Sequence, residues 1–319
     1  MEALFPQRGL IVELVTPLKK DGGIDGRGLE KLLARVSPFA QGVFLASPGG
    51  GEGTVLPLGL RVDLLEQAIL AMHENPVPIF MWVTQESEEK TRQTIAALRN
   101  TVTQRKYDTD LFWVDTPLYY HSNRGLPDLY ADLCAMSGAP FILHNNPELI
   151  ESLTKSFKRN NIRTAVLKEL TAFTEIAGLI FSGSLDRAHN YQRACRKRPD
   201  FRIYDGDEAH FLDHPSMSGA VSIGANLAPG AWEKITQWSI QSSSNGKNYP
   251  DRLQQIWESG TYLQRLRDLY LKAPVAIIKD TLAEMGIIES RGPADPLTDI
   301  EGTRVKLREL MTQTGDFRL

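Results

Sequence analysis

Eight short runs of β-branched and apolar residues recur along this chain, most of them separated by stretches with helical patterning. They are Gly9–Val15, Gly42–Ala46, Pro78–Val83, Asp110–Asp115, Phe141–His144, Ala165–Lys168, Phe201–Tyr204 and Ala220–Ile223. None alternates strictly between apolar and polar positions, and strands covered on both faces read in this unbroken way. Between them, Asp63–His73 and Glu86–Leu98 have helical spacing, the second with the acidic first turn that suits a helix N-terminus. A strand followed by a crossover helix returns the chain to the same end of the sheet, so the strands run parallel. Eight such repeats suit closure better than an open sheet, and the expected fold is α/β, a (β/α)8 TIM barrel.

After Asn226–Pro229 the strand signals stop, and the rest reads as helices broken by the polar loop Ser242–Asn248 and by Gly292-Pro293. The expected organisation is a barrel over residues 1–232 and a C-terminal helical extension over 233–319 packed on it. A length of 319 residues fits one large barrel with such an appendage.

A formal net charge of -3 leaves no basic surplus to neutralise phosphates, which argues against a nucleic-acid partner. No apolar run has the length of a membrane span, and the N-terminus lacks the basic start and apolar stretch of a signal peptide. Cys134 and Cys195 form no CxxC pair, so free thiols in a cytoplasmic protein are expected.

In a barrel of this kind the chemistry sits at the C-terminal ends of the strands and in the loops that follow. Lys168 closes the run Ala165-Val-Leu-Lys168. At a strand end it would place a partly desolvated ammonium at the barrel mouth, where a lowered pKa favours the neutral amine that attacks carbonyls. A structural lysine paired with Glu169 would leave the same signature. His144, Tyr119, Tyr120, Glu13 and the glycines 49–51 lie at other strand ends, as do Asp115 and Asp207, which read as caps. His210 and His214 share one helix face with Glu208 and Asp213 nearby, but the glutamate of an HExxH site is absent and no metal is expected.

Several segments in order resemble the dihydrodipicolinate synthase and N-acetylneuraminate lyase superfamily of class I aldolases. They are Gly9-Leu-Ile-Val-Glu-Leu-Val-Thr-Pro17, the segment Gly42-Val-Phe-Leu-Ala-Ser-Pro-Gly-Gly-Gly-Glu-Gly-Thr-Val-Leu56 with Arg61 beyond it, and Thr116-Pro-Leu-Tyr-Tyr120. Phe141-Ile-Leu-His-Asn-Asn-Pro147, Val166-Leu-Lys168, Gly206-Asp207, Val221 through Asn226, and Lys279 before Leu282 and Gly286 complete the series. The resemblance implies a Schiff base on Lys168, a small carbonyl or 2-keto-acid substrate, no metal or organic cofactor, and a homo-oligomer, dimer or tetramer. It also implies substrate contacts from Gly49, Gly50, Gly51, Gly206 and Val221.

The chain departs from the family pattern at the site itself. His144 stands where a proton-relay tyrosine is expected, Gly49 and Gly50 where two threonines are, and Trp82 where glycine is common. Histidine exchanges protons near neutral pH, so His144 is expected to serve as the acid/base, with Tyr119 and Glu13 assisting. The three glycines retain N–H groups for an anion, or simply allow a tight turn. Glu13 is the most restrictive: a carboxylate beside a bound carboxylate costs on the order of several kcal/mol where water is scarce. Either Glu13 is protonated or paired with Lys168 or His144, or the substrate carries no carboxylate there, so dihydrodipicolinate synthase activity itself is not expected. Two readings follow. One is a carbon–carbon or carbon–oxygen lyase acting through Lys168; the other is a barrel that has lost catalysis and binds a metabolite or protein partner. A metal-dependent hydrolase would need a His/Asp cluster at several strand ends, which the sequence lacks.

Overall fold

The computed structural model describes residues 5–73, 76–107, 109–153, 159–215, 217–240, 249–289 and 301–316. Eight parallel strands close into a barrel in sequence order: β1 (Gly9–Glu13), β2 (Gly42–Leu45), β3 (Ile79–Trp82), β4 (Leu111–Asp115), β5 (Phe141–Asn145), β6 (Ile176–Phe181), β7 (Arg202–Asp205) and β8 (Gly219–Ser222). The main crossover helices are α1 (Gly26–Val36), α2 (Leu58–Ala71), α3 (Glu88–Gln104), with the short α4 (Pro117–Tyr120) ahead of α5 (Leu126–Ser137). α6 (Pro147–Leu153) and α7 (Thr164–Leu170) join β5 to β6, followed by α8 (Leu185–Cys195) and α9 (Glu208–Asp213). α10 (Pro229–Ile240), α11 (Tyr249–Tyr270), α12 (Pro274–Glu284) and α13 (Glu301–Thr314) complete the chain.

Local chemistry explains the boundaries. Asp25 caps α1 by accepting from Gly28 N at 2.9 Å, and Leu29, Leu32, Leu33 and Val36 then recur on one buried face. Ser87 caps α3 ahead of Glu88 and Glu89. Inside the barrel, Phe80 lies 5.1 Å from Phe112 and 6.2 Å from Tyr204, ring centre to ring centre. Phe44, Trp82 and Ile180 belong to the same buried cluster. A second, larger core joins the outer faces of the strands to the helices.

Seven of the eight expected strands are found within two residues at each end; the exception is Ala165–Lys168. That segment is helix α7, with Leu167 and Leu170 buried at a spacing of three and Lys168 and Glu169 exposed between them. Alanine, leucine, lysine and glutamate are good helix formers, and their packing against α5 and α8 decides the matter. The true sixth strand, Ile176–Phe181, is interrupted by Gly178, which weakens its β signal. Glycine is needed there because a Cβ would sit 2.6 Å from the carbonyl oxygen of Arg202 on β7.

The boundary expected between residues 232 and 233 falls inside α10, which packs on β1 and β8 as the barrel's eighth crossover layer. Ser242–Asn248 and Gly292-Pro293 lie outside the described residues. Among the described residues no helix is long and apolar enough to cross a membrane.

Candidate active site

A cavity of about 350 Å³ opens at the C-terminal ends of the strands. Glu13 enters it from β1, Gly49 and Gly50 from the loop after β2, His144 from β5, Ile180 from β6 and Val221 from β8. Gly206 follows β7, and Pro274 and Val275, the first turn of α12, close one side.

Lys168 is not part of this site. It is exposed on α7 and borders a shallow groove with Arg193, Arg196 and Lys197 on the outside of the barrel. On β6 the residue paired in register with His144 is Ile180, which is buried and faces the cavity. Among the described residues no lysine lines the cavity. An apolar side chain at that position cannot form an imine, so the Schiff-base expectation on Lys168 fails on placement.

The loop after β2 is built around Glu13. Its Oε1 accepts from Ser47 Oγ at 2.7 Å and from Gly50 N at 2.9 Å, while Gly51 N donates to Ser47 Oγ at 2.7 Å. These loop N–H groups do serve an anion, directly or through Ser47, but the anion is the protein's own carboxylate. Gly51 is buried beneath the loop rather than lining the cavity; a Cβ there would lie 2.3 Å from Ser47 N. Neither Lys168 nor His144 is hydrogen-bonded to Glu13, the pairings the sequence had left open. Ala46 and Glu52 adopt left-handed backbone, φ 48° and 56°, to complete the turn. Thr16 Oγ1 donates to Gly51 O at 2.7 Å, Arg61 Nη2 to Gly53 O at 2.6 Å, and nearly buried Lys279 on α12 forms an ion pair with Glu52.

His144 is set by a chain of buried groups. Trp82 Nε1 donates to Thr116 Oγ1 at 2.9 Å, and Thr116 Oγ1 lies 2.8 Å from His144 Nδ1. The threonine hydroxyl has no other acceptor among the described residues, so its proton goes to Nδ1 and the imidazole proton sits on Nε2. Burial pushes the His144 pKa down to about 4. The ring is therefore neutral over the ordinary pH range, a hydrogen-bond donor rather than the proton-exchanging group expected near pH 7. Trp82 thus acts as the first link of a relay that holds the histidine.

Asp115 was expected to cap a helix or loop; it instead lies fully buried under three hydroxyls. Thr84 Oγ1 donates to Oδ1 at 2.6 Å, and Tyr120 and Tyr130 donate to Oδ2 at 2.8 Å each. Burial raises its pKa against these hydrogen bonds. Tyr119, the neighbour of Tyr120, is half-buried and does not line the cavity of its own chain. Asp207 does cap α9, accepting from Ala209 N at 2.9 Å and His210 N at 3.2 Å. His210 pairs with Asp205 at 2.5 Å, and among the described residues no group of three His, Cys, Asp or Glu side chains is arranged to hold a metal. Both cysteines are free thiols, Cys195 buried and Cys134 half-buried.

A second carboxyl, which the sequence pointed to only as a neighbour of a rejected metal site, lies next to Glu13. Glu208, at the start of α9, accepts from Ser222 Oγ at 2.6 Å and Gly224 N at 2.7 Å on one oxygen, and from Tyr270 Oη at 2.6 Å on the other. Burial pushes it above the usual carboxylate range, and the nearby Glu13 charge adds to the shift. Sequence reasoning missed Ser47, Asn146, Ser182 and the α12 wall. Only Ser47, inside the glycine loop, carried a local signal.

The chain matches the model of the dihydrodipicolinate synthetase family over residues 6–314. It is 27% identical to the 4-hydroxy-tetrahydrodipicolinate synthase of Alcanivorax borkumensis over 97% of this chain and 98% of that one. With the synthase of the same name from Ectopseudomonas mendocina it shares 25% identity, covering 96% and 98%. Among solved structures, the dihydrodipicolinate synthase of Cyanidioschyzon merolae with lysine bound superposes with a TM-score of 0.76 at 21% identity, covering 98% of this chain and 99% of that one. That structural likeness shows the fold. A barrel without catalysis finds no support in relatives named as synthases. A family match along nearly the whole chain, on a closed eightfold barrel with its polar groups at the expected mouth, makes this chain a member of the dihydrodipicolinate synthetase family of aldolase-type lyases.

Proposed function

We propose that this barrel is a lyase acting on a small carbonyl compound through an enolate, without a covalent imine. The observation that carries the reading is that a neutral imidazole and a carboxylate share one cavity in which β6 contributes Ile180. His144 Nε2–H donates a hydrogen bond to the carbonyl oxygen and strengthens it as negative charge develops there. Glu13 takes the proton, using Oε2, which accepts no hydrogen bond from the described protein. A neutral histidine paired with a carboxylate base is a known way of stabilising an enolate.

Two lyase reactions pass through such an enolate. Proton removal by Glu13 from the carbon next to the carbonyl, followed by return of that proton to a β-hydroxyl that leaves as water, is a carbon–oxygen lyase step. Proton removal from a β-hydroxyl, with cleavage of the carbon–carbon bond, releases an aldehyde and leaves the enolate to be reprotonated. Family membership supports the lyase class; the lining residues support the enolate route.

The test is hydrogen exchange. Hydroxyacetone is incubated with the protein in D2O and deuterium entry next to the carbonyl is followed by NMR, with parallel borohydride reduction and mass spectrometry. We expect exchange that is lost in Glu13→Gln and in His144→Phe, retained in Lys168→Ala, and accompanied by no lysine adduct. A borohydride-trapped lysine, or exchange indifferent to Glu13 and His144, would sink the reading.

A further inference from the structure

We propose that the cavity selects carbonyl compounds bearing an ammonium beside the carbonyl over the corresponding 2-keto acids; this deepens the enolate reading and rests on it. Of the fifteen described residues that line the cavity, Glu13 is the only one with a charged side chain. The remaining polar side chains are His144, Asn146 and Ser182. His144 is neutral because burial holds its pKa to about 4. A bound carboxylate therefore meets no cation among the described residues of the wall.

Two of the three glycine N–H groups that could receive an anion are already spent. Gly50 N donates to Glu13, and Gly51 N to Ser47. Two cations on the elements around the glycine loop are also committed. Lys279 is paired with Glu52, and Arg61 lies over the Trp82 ring while donating to the carbonyls of Leu56, Gly53 and Thr84. Neither lines the cavity.

A cation, in contrast, finds a prepared partner. Glu13 Oε1 is held by two protein donors, which orients the carboxylate and leaves Oε2 for a ligand. Burial and the Glu13 charge both push neighbouring Glu208 toward its neutral form, so the negative charge at this end of the cavity rests on Glu13. The rest of the wall is largely apolar, with Phe44, Leu149, Ile180, Val221, Ile223 and Val275. Such a wall excludes water and strengthens the attraction between an ammonium and Glu13.

Three ketones of the same size separate the possibilities: aminoacetone, hydroxyacetone and pyruvate share a methyl ketone and differ only in the third carbon. Dissociation constants are measured by NMR titration with the wild-type protein, Glu13→Gln and Glu13→Asp. We expect aminoacetone to bind about tenfold tighter than hydroxyacetone, with pyruvate weakest. Glu13→Gln should remove the preference and Glu13→Asp should keep part of it. Pyruvate binding as tightly as aminoacetone to the wild type overturns the proposal whether or not the variants fold. So does a failure of aminoacetone to bind, or a preference that survives unchanged in folded Glu13→Gln. Because binding is read without turnover, loss of the enolate reading would show as absent deuterium exchange with this order intact. Loss of the present inference would show as the reverse.

Discussion

Thr116 Oγ1 lies 2.8 Å from His144 Nδ1, and this contact decides which nitrogen of the ring carries the proton. The same hydroxyl receives Trp82 Nε1 at 2.9 Å, so its own proton has one place to go. Thr116→Val should therefore strand two buried groups and cost about 1–3 kcal/mol in urea unfolding. It should also slow deuterium exchange by releasing the ring, whereas Thr116→Ser should restore both. Equal exchange in the valine variant would show that the ring orientation does not depend on this hydroxyl.

The His144 pKa predicts a pH dependence of stability with a definite sign. Unfolded histidine titrates near 6.5, while burial in the folded protein lowers His144 to about 4. Between these values the unfolded chain holds a proton that the folded one does not, so stability falls as pH drops from about 6.5 toward 4. The full span corresponds to about 3 kcal/mol. Guanidinium unfolding at pH 7 and pH 4.5 should show a smaller loss in His144→Gln than in the wild type.

Asp115 organises the end of β4 through three hydroxyls. Asp115→Ala should leave all three without their partner and destabilise by on the order of 3–5 kcal/mol. Tyr120→Phe removes one donor only and should cost about 1 kcal/mol. Thermal denaturation of the two variants side by side checks the ratio; equal effects would mean that the carboxyl is not the common anchor.

Lys279 ties α12 to the glycine loop through Glu52, which sits in left-handed backbone. Lys279→Met should relax that turn and with it the Ser47 and Gly50 contacts on Glu13. The expected result is at least a severalfold loss of deuterium exchange with a stability change of about 1–3 kcal/mol, less than a fully buried pair would give because Glu52 is 26% exposed. Backbone amide exchange at residues 49–53 should rise in the same variant.

Most of the barrel was legible because its strands are buried on both faces and so appear as apolar runs at crossover spacing. The sixth strand escaped because Gly178 interrupts its run, while Ala165–Lys168 imitated a strand with residues equally suited to a helix. That local ambiguity carried the whole Schiff-base assignment with it. Glu13, His144, Gly49, Gly50, Gly206 and Val221 line the cavity at the mouth, a position that strand ends alone are enough to indicate. Their chemistry was less accessible. The histidine's tautomer depends on Trp82 and Thr116, distant in sequence, and Glu208 meets its partners only once α9, β8 and α11 come together.

Ile180 has a consequence for how turnover must be controlled. A covalent intermediate stays with its enzyme until it is hydrolysed, whereas an enolate held by hydrogen bonds escapes whenever the cavity opens. On the proposed enolate route, commitment to product then depends on retention, and the α12 residues Pro274 and Val275 close one side of the cavity. In this barrel the C-terminal helices, remote from every strand in sequence, would set the fraction of intermediates that leak away before the second half of the reaction.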